Sequence, residues 1–323
     1  MQNRPAGLRW SRILIIVMAC ITAAIPFGAL AQQPVAPSKD VEIVFLGTGN
    51  PIPNADRQGP SLAIVANGKA YLVDAGSGVS RQANSAFQRG ILALRPDQLD
   101  IAFLTHLHSD HTLGLPDLIF TPWIVGRAKP LRLYGPEGTK EMAAHILEAF
   151  KEDIQVRTTG LESGDTTGYK VDAHDVQPGN IYQDGNVSVR AILVKHGSWK
   201  EALGYRFDAG GKSVVVSGDT APAESVVEAC SGCDALIHEV YSGRAANPQK
   251  PALSLDQWMK YESAFHTSAP ELGEIAARAK AKMLILTHWG LLGNAKEDDI
   301  VREIHEKYSG PIVIARDLDV IAP

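Results

Sequence analysis

The sequence predicts an α/β fold built from two packed mixed sheets flanked by helices. Three observations predict it. Short apolar strand candidates alternate with helical patterns along the chain. Each half carries a two-residue hairpin signal between strands, Asn67-Gly68 and Gly210-Gly211. The halves also echo each other. Gly68-Lys69-Ala70-Tyr71-Leu72-Val73-Asp74 resembles Gly211-Lys212-Ser213-Val214-Val215-Val216 followed by Gly218-Asp219. Each is the second strand of a hairpin that ends at an acidic residue. Such a duplicated half implies two similar sheets, and the interval is far too long for a solenoid.

The expected strands are Val41–Leu46, Ser61–Val65, Ala70–Val73, Ile101–Thr105, Leu131–Tyr134, Val187–Val194, Ala202–Phe207, Ser213–Ser217, Ala235–Glu239, Met283–Thr287 and Pro311–Ala315. Each is a short apolar run closed by turn residues. The expected helices are Lys140–Glu152, Ala223–Ala229, Ala269–Ala281 and Lys296–Tyr308, where apolar residues recur at helical spacing. No low-complexity stretch divides the body, so residues 41–323 read as one domain.

The front of the chain differs. Arg4, Arg9 and Arg12 precede the uncharged run 13–31, which ends in Ala29-Leu30-Ala31. A basic start, an apolar centre and a small-x-small end make a secretory signal peptide over residues 1–31, cleaved after Ala31. An uncleaved anchor and a lipoprotein lipidated at Cys20 are the alternatives. All three put the body outside the cytoplasm, as a periplasmic or secreted protein. Residues 32–40 read as a linker. Without the leader, 28 basic residues face 36 acidic ones, a charge of −8. An acidic body is a poor binder of nucleic acid by bulk charge. With 45% hydrophobic residues overall it is not disordered. No second long apolar run exists, so no integral membrane domain is expected. Cys230 and Cys233 are the body's cysteines; a local disulfide and two free thiols both remain open.

The chemistry concentrates in Thr105-His106-Leu107-His108-Ser109-Asp110-His111. Three histidines and a carboxylate fall just after an apolar strand. Imidazole and carboxylate are the ligands that zinc takes at about 2.0–2.2 Å. Alternation directs the His106 and His108 rings the same way. Asp110 and His111 sit where the chain turns and face a second direction, which suits two metals. Three further candidates each follow an apolar strand: His196, Asp219 and His288.

This ordered set, His106-x-His108-x-Asp110-His111 with His196, Asp219 and His288, resembles the metallo-β-lactamase superfamily. Phe45-Leu46-Gly47-Thr48-Gly49-x-Pro51, Leu203-Gly204-Tyr205-Arg206, Ser217-Gly218-Asp219-Thr220-x-Pro222, His238-Glu239 and Phe265-His266-Thr267-Ser268 resemble its ribonuclease Z and arylsulfatase branch. The resemblance covers residues 41–315 and implies an αββα sandwich with a dinuclear site. It implies that His106, His108 and His196 bind one metal, that Asp110, His111 and His288 bind the other, and that Asp219 bridges both. Two Zn²⁺ ions are expected, with Mn²⁺ or Fe²⁺ as alternatives that the same ligands accept. The candidate catalytic residues are Asp110, His266 and Glu239. His266 would donate a proton to the leaving group while Glu239 holds its tautomer; the alternative for His266 is a helix-entry residue. His238 and Asp74 read as supporting residues. Trp199, Tyr205 and Trp289 neighbour the ligands and line either the pocket or the core. His145, His174 and His305 take no role.

The expected function is an exported dinuclear zinc hydrolase that uses a metal-bridging hydroxide to cleave a phosphodiester or sulfate ester. The alternative is a metallo-β-lactamase acting on β-lactam amides, as main or side activity. Two remoter readings are an iron oxidoreductase, which prefers a carboxylate where His108 stands, and a metal-binding protein without turnover. A small-molecule ester is the expected substrate. The tRNA-grasping arm of many ribonuclease Z enzymes falls between the residues matching His196 and Asp219. Here only 23 residues separate them, and strand candidates fill the interval. The resemblance implies a homodimer as one assembly, although no self-association motif is legible.

Overall fold

The computed structural model describes residues 41–323 apart from 163 and 249. The signal segment and linker lie outside the described residues. Fourteen strands among the described residues form two seven-stranded sheets. The first holds β1 (Val41–Gly47), β2 (Ser61–Ala66), β3 (Lys69–Val73), β4 (Ile101–Phe103), β5 (Leu131–Gly135), β6 (Val171–Asp175) and β14 (Val320–Ile321), in the order β14-β1-β2-β3-β4-β5-β6. The second holds β7 (Gly179–Gln183), β8 (Val187–Val194), β9 (Ala202–Ala209), β10 (Lys212–Val216), β11 (Ala235–Gly243), β12 (Leu284–Leu292) and β13 (Ile312–Ile314), in the order β13-β12-β11-β10-β9-β8-β7.

The two sheets share one plan. In each, an antiparallel hairpin (β2–β3, β9–β10) is followed by parallel strands, β4 to β6 and β11 to β13. Both hairpin turns have positive φ at both residues, Asn67 at 50° and Gly68 at 75°, Gly210 at 57° and Gly211 at 79°. That backbone matches the strand twist and is open to Asn and Gly at little strain.

Alternation along the strands sorts the apolar residues into three layers. Ile43, Phe45 and Phe103 meet Tyr205, Phe207, Ile237 and Ile285 between the sheets. Val44 and Leu46 point outward to α1 (Val79–Gln88), α3 (Leu115–Ile124) and α4 (Thr139–Ala149). Val215, Leu236 and Leu284 point outward to α6 (Glu224–Cys230), α8 (Ala269–Ala279) and α9 (Glu297–His305). The result is the αββα sandwich. None of the described helices is long and apolar enough to cross a membrane. Cys230 and Cys233 form a disulfide.

Several boundaries differ from expectation. The strand expected over 101–105 ends at Phe103, because Thr105 turns toward the other sheet (below). The helix expected over 140–152 is two, α4 and α5 (Lys151–Thr159), broken at Phe150. Four helices were not among the expected elements: α1, α2 (Ser109–Thr112), α3 and α7 (Leu255–Phe265). Strands β6, β7 and β14 were also unforeseen; they are half-buried edge elements with weak apolar patterns.

Candidate metal centre

The centre forms where strand ends of both sheets meet. Thr105 makes the crossing. Its N–H and hydroxyl donate to Asp74, at 2.7 Å and 2.9 Å, and its carbonyl accepts Leu203 N–H from β9 at 2.8 Å. The chain therefore leaves β4 and is held over the gap between sheets. His106 and His108 follow, the latter in extended backbone, and α2 carries Asp110 and His111. His196 follows β8, Asp219 follows β10 and His288 lies within β12. The structure brings all seven expected ligands together.

His106 Nε2 lies 2.9 Å from His108 Nδ1, and His196 Nε2 lies 3.1 Å from the same atom. Two nitrogens on one tetrahedral zinc at about 2.0–2.1 Å would be about 3.3 Å apart. These rings converge on a point that suits a cation. His196 Nδ1 donates to the Phe265 carbonyl at 2.8 Å, which leaves the lone pair on Nε2. Burial pushes the His106 imidazole far below its ordinary range and His196 down to about 4, so both are neutral donors at pH 7. One adjustment is required. Trp199 Nε1 donates to His108 Nε2 at 2.8 Å, which puts the His108 proton on Nδ1. Ligation through Nδ1 would need that proton on Nε2, and the Trp199 indole would then have to turn away.

The second group surrounds two carboxylates. His288 Nε2 lies 3.3 Å from Asp110 Oδ2 and 3.5 Å from Asp219 Oδ2. His111 Nε2 lies 3.4 Å from Asp219 Oδ1 and 3.6 Å from Asp110 Oδ2. His196 Nε2 comes within 4.0 Å of Asp219 Oδ2, so Asp219 faces both groups. Donor atoms of Asp110, His111 and His288 lie within 4.8 Å of one another, as do those of His106, His111 and Asp219. Burial disfavours charge on His111, but the Asp219 and Asp74 carboxylates outweigh it and hold its proton well above the ordinary range. The pocket is therefore built for positive charge. His111 Nδ1 binds Asp74 Oδ2 at 2.8 Å, and its buried Nε2 makes no hydrogen bond. Asp74 and His288 both adopt left-handed backbone, φ 61° and 46°, a strain typical of functional sites.

His266 caps the C-terminus of α7, its side chain 20% exposed. Its Nδ1 lies 3.3 Å from Glu239 Oε1, and Glu239 also accepts the backbone N–H of Thr220 and Thr267, each at 3.1 Å. Burial works against the imidazolium, but the Glu239 charge and hydrogen bond raise its pKa to about 9. His266 thus carries a proton at neutral pH. One of its ring nitrogens is within 4.8 Å of the donor atoms of His196 and Asp219. Helix entry is left to Ser268, which forms the capping box of α8. His238 is buried, its Nδ1 2.6 Å from the Glu239 carbonyl. Tyr205 is core, and its hydroxyl donates to the Leu104 carbonyl. His145, His174 and His305 lie away from the centre, engaged with Glu141, Asp172 and the Tyr308 carbonyl. Asp74 was expected as a supporting residue but without its partner His111, and the contact of Trp199 with His108 was not expected. The signal for Asp74 was its place at the end of the echoed hairpin; Trp199 gave none beyond proximity to His196.

Residues 69–289 match the β-lactamase superfamily domain family. A ribonuclease Z of Mycobacterium bovis (strain BCG / Pasteur 1173P2) is 34% identical over 282 residues, covering 86% of this chain and 96% of its own length. Among solved structures, the metallo-β-lactamase fold protein YhfI of Bacillus subtilis aligns with a TM-score of 0.64 at 22% identity, over 88% of this chain and all of its own. The short form of human tRNase Z aligns with a TM-score of 0.62 at 21% identity, over 87% of this chain and 98% of its own. These two share the fold. The fold family implies a divalent metal, and the donor set just described fits one. Sequence and architecture together make this chain a member of the β-lactamase superfamily and, within it, of the ribonuclease Z family of metal-dependent hydrolases.

Proposed function

We propose that the protein is an exported phosphodiesterase holding two zinc ions, His106, His108 and His196 around one, Asp110, His111 and His288 around the other, with Asp219 between. The observation that carries the reading is the convergence of these donor atoms beside His266, whose Nδ1 faces Glu239. Two bound cations would supply a nucleophile from water at neutral pH and stabilise charge on the attacked centre. The protein's own residues do the rest. Glu239 holds His266 Nδ1, so Nε2 is the atom free to deliver a proton to a departing oxygen. Asp74 and the Phe265 carbonyl fix the tautomers of His111 and His196.

A small ester is favoured over tRNA. Between His196 and Asp219 the chain runs through β9, a two-residue turn and β10, with no inserted arm. The three arginines and uncharged run at the front support export. A sulfate ester is the neighbouring substrate class, since it too leaves as an oxyanion that benefits from a positioned acid.

The test compares initial rates of the zinc-loaded protein on bis(p-nitrophenyl) phosphate, p-nitrophenyl sulfate and a chromogenic cephalosporin, each with a chelator control. Faster, chelator-sensitive phosphodiester cleavage is the expected result. A dominant sulfatase rate would reassign the ester. A dominant cephalosporin rate would overturn the esterase reading in favour of β-lactam hydrolysis.

A further inference from the structure

We infer that Arg57 is a positioning residue for the second metal, acting on His288 through Trp289. The inference rests on the two-metal reading above. His288 is the one ligand of that reading held in left-handed backbone. The β11–β12 ladder shows why. His238 pairs with Leu286 and Val240 pairs with Trp289, so Thr287 and His288 together oppose Glu239 alone. This is a bulge, which re-aims a side chain at the cost of regular pairing. The strained peptide persists only if its far side is anchored.

Trp289 is that anchor, and it is held from outside the ladder. The Arg57 guanidinium carbon stands 3.9 Å from the Trp289 ring centroid, a cation–π distance. Arg57 Nη1 and Asn50 Nδ2 donate to the Trp289 carbonyl at 3.5 Å and 3.3 Å. Arg316 approaches the same ring at 5.4 Å. Arg57 is itself fixed, donating to the carbonyl of Thr48 and, at 3.4 Å, to its hydroxyl. Asp317 completes the clamp. Its Oδ1 accepts Thr48 N–H at 2.9 Å and Thr48 hydroxyl at 2.8 Å, and its Oδ2 accepts Gln58 N–H at 2.7 Å. The β1–β2 loop and the C-terminal segment thus grip the residue next to His288. Among the described residues, none of these groups hydrogen-bonds to His106, His108 or His196.

The experiment measures zinc stoichiometry and stepwise affinity, by competition with a chelating dye, for the protein and the variants Arg57→Ala, Arg57→Lys and His288→Ala. Removing a direct partner of a ligand weakens metal binding about 10–100-fold. Arg57 acts one residue away, so Arg57→Ala is expected to weaken the second step about 5–50-fold and leave the first unchanged. Arg57→Lys keeps the charge but loses the planar face, and recovers only part of the loss. A merely structural role would weaken both steps together and lower the melting temperature in parallel. Should Arg57→Ala fail to fold, Trp289→Leu removes the ring and gives the same readout, with Trp289→Phe as the expected rescue. Wild-type affinity for both ions in Arg57→Ala overturns the inference. Two ions still bound by His288→Ala overturns the metal assignment itself, and the inference with it.

Discussion

Replacing Asp74 by Asn alters one atom of the site and asks what holds His111. Asp74 Oδ1 accepts Thr105 N–H, and Oδ2 accepts both the Thr105 hydroxyl and His111 Nδ1. Asn is nearly isosteric and tolerates φ of 61°, so the backbone is kept. Its amide nitrogen cannot replace Oδ2 at constant tautomer. If the amide faces His111, Nδ1 must accept, and the ring proton moves to Nε2. That nitrogen lies 3.4 Å from Asp219 and, once protonated, cannot ligate. If the amide flips, it opposes Thr105 N–H inside a buried site, at about 1–3 kcal/mol for the unmade bond. Either way the second metal is weakened, by about 10–100-fold on the usual scale for a lost ligand partner, or about 1.4–2.7 kcal/mol. A dye-competition titration of the metal-free variant with zinc measures this. The second dissociation constant is expected to rise by that factor while the first stays near wild type. Two unchanged constants in a folded variant would refute the argument that Asp74 sets the His111 tautomer.

Other outcomes follow from the same geometry. His266→Ala is expected to lower kcat on bis(p-nitrophenyl) phosphate about 10²–10⁴-fold, with Glu239→Gln in the same direction; equal loss on a cephalosporin would remove the leaving-group role. Zinc added to metal-free protein should shift tryptophan emission as the Trp199 indole leaves His108 Nε2, and Trp199→Phe should abolish that shift; an unaltered response would place the His108 proton elsewhere. Arg127 is fully buried and donates to the carbonyls of Leu99, Leu118, Ile119 and Gly168. Arg127→Met leaves those carbonyls without their donor and should therefore destabilise by about 1–3 kcal/mol for each one left unpaired, as read by urea unfolding. Asp234 is partly desolvated, but Ser213 and Lys282 bind its carboxylate and lower its pKa to about 2. A depressed folded pKa contributes stability above the unfolded value of about 4. That stability is lost as pH falls from 4 toward 2, so the stability gap between the protein and Asp234→Asn should close over that window.

What the sequence made legible was local. The expected place of His106, His196, Asp219 and His288 after apolar strands, together with the clustered histidines, made the ligand set legible, although His288 lies inside β12 and not after it. The paired hairpins were legible for the same reason, since Asn67-Gly68 and Gly210-Gly211 carry their turn geometry in their residue types. What escaped was set by contacts between distant segments. The strand at 101 stops two residues early because Asp74 takes the Thr105 N–H and Leu203 the Thr105 carbonyl, and neither is near it in sequence. Helix α2, Ser-Asp-His-Thr, is a single turn with no apolar stripe and forms because tertiary packing overrides weak local preference. The clamp on Trp289 joins residues 232 positions apart, and no spacing rule reaches that far. The division has a physical cause. Ligand identity is a matter of side-chain type at strand ends, which one sequence displays. Ligand aim depends on a bulge, two left-handed residues and the partners that hold them, and only the fold supplies those. Mutations at Asp74 and Arg57 should therefore change metal affinity more than the sequence alone would suggest, although neither residue is itself a ligand.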